Sequence, residues 1–509
     1  MNIKVCNQLS RRQRRVERRL NRRSRQSGGP VFDRGRARFE ISDRVRATSA
    51  GGVRLAHELA NAIDLPREID GRVNVLKLHL PYRESEHVRA MAFNLLAGGT
   101  CIEDLEQRRG DESFLDMLGA TRIPDPTTAG DFCRRFKTKE SIDGLQTAIN
   151  ESRLRVWKSQ PDSFFEHAIV DADGTIAETT GSCKEGMDIS YKKTWGYQAL
   201  IVSLANTEEV LFQDLRPASR PSHEGAADRL DESVSLLRRA GFRKITLRGD
   251  TDFSQTRHLD RWHRDGVKFV FGFQAGPKLC AKAAELLDSA WSELERKARY
   301  EIKTEPRKRP ENVRERIVME RELYNLHLAK EDVAEFDYSP GACEETYRMV
   351  VLRKLITHER GQKVLFPQTR YFFYITNKAE ASTEEVVEHS NNRCNQERTI
   401  GELKSGVNAL NMPLGDLHSN WAYTVIATLA WNLSRWIGLA LPTSGRWKAK
   451  HTDEKRRVTK MRFRTFVQAM MIMPAQILRA GRQLVVRLLD WNPWRHVFFR
   501  ALDSVRLIS

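Results

Sequence analysis

From about residue 40 to 155, apolar side chains recur at helical spacing, as in VRLAHELANAI and HVRAMAFNLLAG, with a Pro-rich break at IPDPTTAGDF. Positions three and four apart share one face of an α-helix, so this stretch predicts a helical N-terminal domain. The period then changes. FFEHAIVDADGTIAE (164–178), WGYQALIVSLA (195–205) and VLFQDLRPA (210–218) are apolar runs rich in β-branched residues, in close succession, and predict an antiparallel meander. A helix follows over 225–240, closed by Gly241. Next come a strand at 244–250 (KITLRGD), a helix at 256–266 and a strand at 267–275 (VKFVFGFQA).

Beyond a helix expected at 278–297, residues 299–376 are dense in β-branched and aromatic side chains (RIVMERELYNLHLA, TYRMVVLRKLI, RYFFYITNK) and read as a β-rich module. Helical patterns return at 383–408, 419–441 and 465–489, and no repeat occurs at solenoid or propeller periods. The order βββαβαβ is that of an RNase H-like core of the retroviral-integrase type, in which crossovers add parallel strands to a meander. The expected class is therefore α/β, with a β-rich insertion and helical regions at both ends. The boundaries read as a basic flexible arm (1–30), a helical N-terminal domain (31–158), the first part of the core (159–298), the insertion (299–378), the last core helix (379–415) and a helical C-terminal region (416–509).

Charge adds a partner. The 509 residues suffice for three or four modules, and 85 Lys+Arg against 67 Asp+Glu leave a net charge of +18. Such a surface attracts a polyanion, because neutralised phosphates release condensed counterions; a membrane surface or plain solubility is the competing reading. Residues 11–25 hold nine arginines and one acid and end in SGGP, so Arg11, Arg12, Arg14 and Arg15 are candidates to grip phosphates from an arm disordered without DNA. Asp131 and Phe132, with the CRRFKTK run, could touch DNA or form a solvated helix face. The seven cysteines are scattered without CxxC pairs and read as reduced thiols. Arginine stands where a signal peptide needs an apolar core, and Asn432 and Arg435 interrupt the most apolar stretch, Trp421 to Leu441. A cytoplasmic, nucleoid-associated protein with no membrane span is expected.

Three acids carry the candidate chemistry. Asp171 and Asp173 end one apolar strand and Asp250 ends another, and ligands gather at the carboxyl ends of strands in open sheets. An Asp there more commonly forms a turn or caps a helix. Glu397 would supply a third oxygen donor. Two divalent ions roughly 3.5–4 Å apart polarise a phosphodiester, generate the nucleophile and stabilise the leaving oxygen, and hard Mg²⁺ favours carboxylates. On an uninterrupted helix Ser390, Arg393, Glu397 and Lys404 fall within an arc of about 60°. That stripe lies beside apolar Val386, Val387, Ile400, Leu403 and Val407. A solvated face with a routine Arg–Glu pair is its ordinary reading.

The runs TWGYQALIVSLANTEEVLFQDLRPASRPSHEGAA, GFRKITLRGDTDFSQTRHLDRW and GVKFVFGF resemble bacterial insertion-sequence DDE transposases of the thirteen-eighty group, over about 160 to 410. Those enzymes carry their third acid in a Tyr-x2-Arg-x3-Glu-x6-Lys signature, and Arg393-x3-Glu397-x6-Lys404 matches its spacing. The resemblance implies an RNase H-like core with a catalytic, metal-binding triad of Asp173, Asp250 and Glu397. It implies two Mg²⁺ ions, with Mn²⁺ able to substitute, and cut-and-paste movement of DNA bounded by terminal inverted repeats. Double-stranded DNA, as transposon ends and target, would be the partner, engaged by a homodimer in the synaptic complex. Asp171 is the alternative first acid, while Asp252 would structure its loop. Arg393 and Lys404 take the family's phosphate-gripping role, and Ser390 stands where the family has Tyr. The long interval from Asp250 to Glu397 resembles the β insertion domain of relatives, where an aromatic can hold a flipped base. Trp291, Tyr300, Tyr324 and Tyr347 are the nearest aromatics, with core roles the ordinary reading.

Two rivals bear on the same charge. A tyrosine recombinase would use His258, Arg261 and a tyrosine, but beyond residue 374 only Tyr423 remains, inside an apolar run. A noncatalytic DNA-binding protein derived from a transposase would keep the basic surface without turnover.

Overall fold

The computed structural model describes residues 3–24, 45–294, 326–359, 362–480, 483–489 and 492–508, together with Ile317. From the first core strand onward the elements are β1 (His167–Glu178), β2 (Trp195–Leu204), β3 (Glu209–Pro217), α1 (Ala226–Ala240), β4 (Lys244–Gly249), α2 (Leu259–Arg264) and β5 (Lys268–Phe273). They continue with β6 (Leu326–Tyr338), β7 (Tyr347–Glu359), β8 (Gln362–Thr376), α3 (Thr383–Asn391), α4 (Cys394–Gly401) and α5 (Leu417–Ala440). The chain divides into two compact units. One holds Met1–Phe164, Thr175–Pro221 and Arg398–Ser509, the other Phe165–Gly174 and Ser222–Glu397. Strand β1 therefore contributes its first part to one unit and its last four residues to the other.

In the second unit β1, β4 and β5 run parallel, with Asp171 opposite Arg248 and Arg248 opposite Val270. The sheet is mixed, because β8 adds antiparallel to β5 and is followed by β7, β6 and the edge strand Ser292–Glu293. The described strands of the β-rich region thus prolong the core sheet. Val270 of β5, Val333 of β6, Val350 and Leu352 of β7, and Val386 and Val387 of α3 share one buried cluster. Valines suit this place because a branched Cβ fits a pleated surface and loses little rotamer freedom there. Ser382 and Glu385 form a capping box that starts α3. Most of RIVMERELYNLHLA, with Tyr300 and Tyr324, lies outside the described residues.

The first unit is mainly helical. Its N-terminal helices include Glu84–Leu96, Pro126–Cys133 and Lys139–Lys158. The Pro-rich break is also a start signal: Asp125 accepts from Thr128 N–H at 2.8 Å, and Pro126 opens the helix at the position that needs no N–H donor. Strands β2 and β3 pair antiparallel. Buried along its length, α5 meets β3 through polar side chains: Asn432 bonds both the N–H and the carbonyl of Val210 at 3.0 Å, and Trp421 donates to the Gln213 carbonyl at 2.8 Å. Glu209, fully buried, accepts from Arg153, Trp157, Trp436 and Thr207, which satisfies a charge that would otherwise be costly inside. No helix among the described residues is long and apolar enough to cross a membrane.

Four expectations of local structure fail. Helix is predicted over 465–489, but a short helix (Phe463–Phe466) and a π turn (Val467–Met471) give way to a hairpin of Ala475–Ala480 and Gln483–Leu488 beside Ala47–Thr48. Pro474 disfavours helix at the residue before it, and the β-branched Ile477, Val485 and Val486 favour strands. The helix expected at 278–297 stops at Ala284. The helix expected at 383–408 is broken at Asn392 and Arg393 and ends in a π turn, Glu402–Gly406. The basic run read as a flexible arm is helical over Ile3–Ser24, with Leu9 buried and Arg12 donating to the Leu488 carbonyl at 2.6 Å.

Candidate active site

The parallel register of β1 and β4 sets the site. Asp171 and Arg248 are partners, and Arg248 Nε and Nη2 donate to the two carboxylate oxygens at 2.6 and 2.7 Å. Both side chains are buried. A third N–H of Arg248 donates to the His389 carbonyl near the end of α3, at 2.8 Å. This guanidinium fork engages both oxygens of Asp171. Burial pushes the Asp171 carboxyl up, and the bonds from Arg248 oppose that push. The alternative first acid is thus held in a buried ion pair with a dedicated guanidinium.

Two positions onward, Asp173 on β1 and Asp250 just past the end of β4 lie close enough for the charge of Asp250 to act on Asp173. No guanidinium fork closes this second pair. Asp173 Oδ1 accepts from Gly174 N–H at 2.8 Å, and Oδ2 lies 3.4 Å from Arg393 Nη2. Burial, helped by the charges of Asp250 and Glu397, pushes the Asp173 carboxyl up to about 6 against the pull of Arg393. Burial also raises Asp250, with Arg393 and backbone N–H groups opposing. Asp250 Oδ1 accepts from Asp252 N–H at 2.9 Å, which caps the turn Thr251–Phe253. Gly272 of β5 lets that turn approach, since a Cβ there would sit 2.8 Å from Thr251 N. Asp252 accepts from Ser222 at 2.7 Å and so shapes the loop.

Glu397 stands exposed on α4, close enough for its charge to act on Asp173. Arg393 lies at the break between α3 and α4, its buried Nε without a partner among the described residues. Ser390, half-buried, offers its carbonyl to Arg393 N–H at 3.2 Å. The break and the π turn remove the uninterrupted helix from which the stripe of Ser390, Arg393, Glu397 and Lys404 was drawn, so 100° per residue no longer relates these side chains. Lys404 belongs to the other unit. It is exposed, and the surrounding protein and then Lys192 pull its pKa below the ordinary lysine value.

The remaining candidates separate cleanly. Arg11, Arg14 and Arg15 are exposed on the N-terminal helix. Phe132 is a core residue, stacked on His87 at 4.4 Å, and Asp131 pairs with Arg134. Tyr347 is buried and donates to Asp260 at 2.5 Å, while Trp291 faces Arg353 at 4.1 Å. Tyr423 is 2% exposed and cannot serve as a nucleophile. Sequence reading missed Arg248 and Gly272. A signal existed for the first: Asp-x-Asp on one strand and Arg-x-Asp on the next already pair a cation with the outer acid.

Among the described residues, no three His, Cys, Asp or Glu side chains are gathered tightly enough to hold a metal ion. The donor chemistry nonetheless fits one. Asp173 and Asp250 offer hard oxygens, repel one another's charge and share the nearby cation Arg393, with Glu397 within electrostatic reach.

A family model described as a transposase DDE domain, group 1, matches residues 42–509. Among solved structures, a piggyBac transposase synaptic complex with hairpin DNA is 10% identical over 83% of each chain, with a TM-score of 0.36, too remote to bear on the fold. No curated protein matches the chain.

Proposed function

The chain belongs to the family of group 1 transposase DDE domains, and from that premise we propose that it cuts and joins DNA through Asp173, Asp250 and Glu397. The observation that carries this reading is the open carboxylate pair: Asp173 and Asp250 lie one step beyond a closed ion pair and are left with charge to be neutralised. The order βββαβαβ, with β1, β4 and β5 parallel, supports an RNase H-like core.

In this reading the three acids hold two Mg²⁺, or Mn²⁺ in its place. When bound, divalent ions polarise the phosphodiester and lower the pKa of the attacking water or 3′-hydroxyl. Asp173 and Asp250 supply rigid donors because their strands are locked by the Asp171–Arg248 pair. Glu397, exposed on its helix, completes the donor set from a separate segment. Arg393 lies 3.4 Å from Asp173 with its buried Nε lacking a partner among the described residues, and would contribute a phosphate contact beside the acids. Lys404, Ser390 and the arginines of the N-terminal helix add phosphate contacts. The substrates are terminal inverted repeats and target DNA, handled by a homodimer in a synaptic complex, as the resemblance to the thirteen-eighty insertion-sequence group implies.

The test uses a plasmid carrying the DNA that flanks this reading frame. Purified protein with Mg²⁺ is expected to release the segment between inverted repeats, and the Asp250→Ala protein to bind the same DNA without cutting it. DNA binding with no metal-dependent cleavage by the wild type would replace this reading with a noncatalytic DNA-binding protein.

A further inference from the structure

The hairpin joining β1 to β2 shows what a soluble surface normally hides. Ile189, Tyr191 and Trp195 are 43%, 82% and 53% exposed, all within one short turn. Ile189 and Trp195 are cross-strand partners at its base, and Tyr191 sits at its tip. The turn is firmly closed. Ser190, itself buried, donates its N–H to the Thr194 carbonyl at 2.9 Å, and its carbonyl and hydroxyl accept from Lys193 and Thr194 N–H at 2.8 and 3.1 Å. Lys193 takes a left-handed φ of 60° to make it. The exposed rings are therefore presented by ordered backbone.

Cations surround them. Lys192 Nζ lies 5.4 Å from the Tyr191 ring centroid, and Lys193 follows it, both exposed. Among the described residues neither lysine has a carboxylate at ion-pair distance. Flat rings beside unpaired ammonium groups match the two faces of a nucleotide: a base that stacks and a phosphate that pairs. A duplex buries its base faces, so the complementary ligand is a strand whose bases are unpaired.

We propose, resting on the transposase reading, that residues 188–195 bind unpaired nucleotides of DNA, bases stacking on Tyr191 and Trp195 and phosphates meeting Lys192 and Lys193. A second copy of the chain, with a net charge of +18, is a poorer electrostatic match to these lysines than a polyanion.

The test is fluorescence anisotropy of the full chain with a labelled blunt duplex and the same duplex bearing a short single-stranded thymidine tail. The wild type is expected to prefer the tailed DNA. Tyr191→Ala and Trp195→Ala should each lower that preference at least ~5-fold, the scale of one lost stack, and Tyr191→Phe should keep it. Lys192→Ala with Lys193→Ala should flatten the log–log salt slope by about 1.4, or ~0.7 per single-strand contact. Because the replaced side chains are exposed, unchanged circular dichroism is expected alongside. Equal binding of both DNAs by the wild type, or an undiminished preference in both Ala variants, overturns the proposal. Failure to bind any DNA overturns it together with the transposase reading. A tail preference in a protein that never cuts its flanking DNA sinks only the latter.

Discussion

Two residue pairs, Asp171 with Arg248 and Asp173 with Asp250, lie two positions apart along the chain and meet opposite fates. Asp171 and Arg248 close on each other with a bidentate fork and are buried, with all three guanidinium nitrogens engaged. Asp173 and Asp250 face each other as like charges, half-buried, sharing only the looser Arg393. The residue types differ in one partner, Arg248 on β4 against Asp250 just past its end. That difference turns a structural lock into a place that needs a cation. A carboxylate's role is read from what its lone pairs already hold, more than from its position at a strand end.

The largest expected effect separates the pairs by activity. Asp173→Ala and Asp250→Ala should lower metal-dependent strand cleavage by about 10³-fold or more, on the scale of losing a transition-state electrostatic partner, with DNA affinity little changed. Single-turnover cleavage of a pre-bound transposon end measures it; near wild-type rates for either variant would assign the chemistry elsewhere. Next, Asp171→Ala should cost about 3–5 kcal/mol of stability, because it leaves Arg248 buried and unpaired. Denaturant unfolding tests this, and a loss below ~1 kcal/mol would mean the lock bears no strain.

The open pair should respond in the opposite direction. With the Asp173 carboxyl raised to about 6, the native chain holds that proton more tightly than the unfolded chain, whose carboxyl titrates near ~3.9. Deprotonation therefore penalises the native state: the cost is absent below about pH 4 and fully present above about pH 6. Asp173→Asn should stabilise the metal-free protein at pH 8, by about 1–3 kcal/mol, and have little effect at pH 4. A destabilised Asn variant at pH 8 would show that Asp173 is already satisfied. The smallest effect compares the arginines. Arg248→Lys should cost about 1–3 kcal/mol by losing the fork, whereas Arg393→Lys should leave stability within ~0.5 kcal/mol and slow cleavage several-fold. Equal stability losses would erase the distinction between a locked and an available guanidinium.

Much of this arrangement was legible in the chain. Strand runs and their order are local patterns, and so β1 to β5 appear where alternation and β-branching place them. Asp250 follows its strand directly, as read, whereas Asp171 and Asp173 do not end theirs: β1 runs on to Glu178. The different surroundings of Asp171 and Asp173 were not legible, because they depend on strand register, which pairs Asp171 with Arg248 across 77 positions. Periodicity also overreached near Glu397: a helix wheel assumes one unbroken helix, while Asn392, Arg393 and the π turn at Glu402–Gly406 reset the phase. The hairpin at 475–488 was lost to an apolar run whose Pro474 outweighs its helical spacing. The β-rich region read as a separate insertion prolongs the core sheet through β8, a pairing between segments distant in sequence.

The central claim, that the open pair gathers a divalent cation and the closed pair does not, is tested most directly by titrating Mn²⁺ into the DNA-free protein and following the free ion by electron paramagnetic resonance. The account predicts saturable binding that Asp250→Asn and Asp173→Asn each weaken by at least tenfold and that excess Mg²⁺ displaces. Mn²⁺ bound with unchanged affinity by both variants would contradict it.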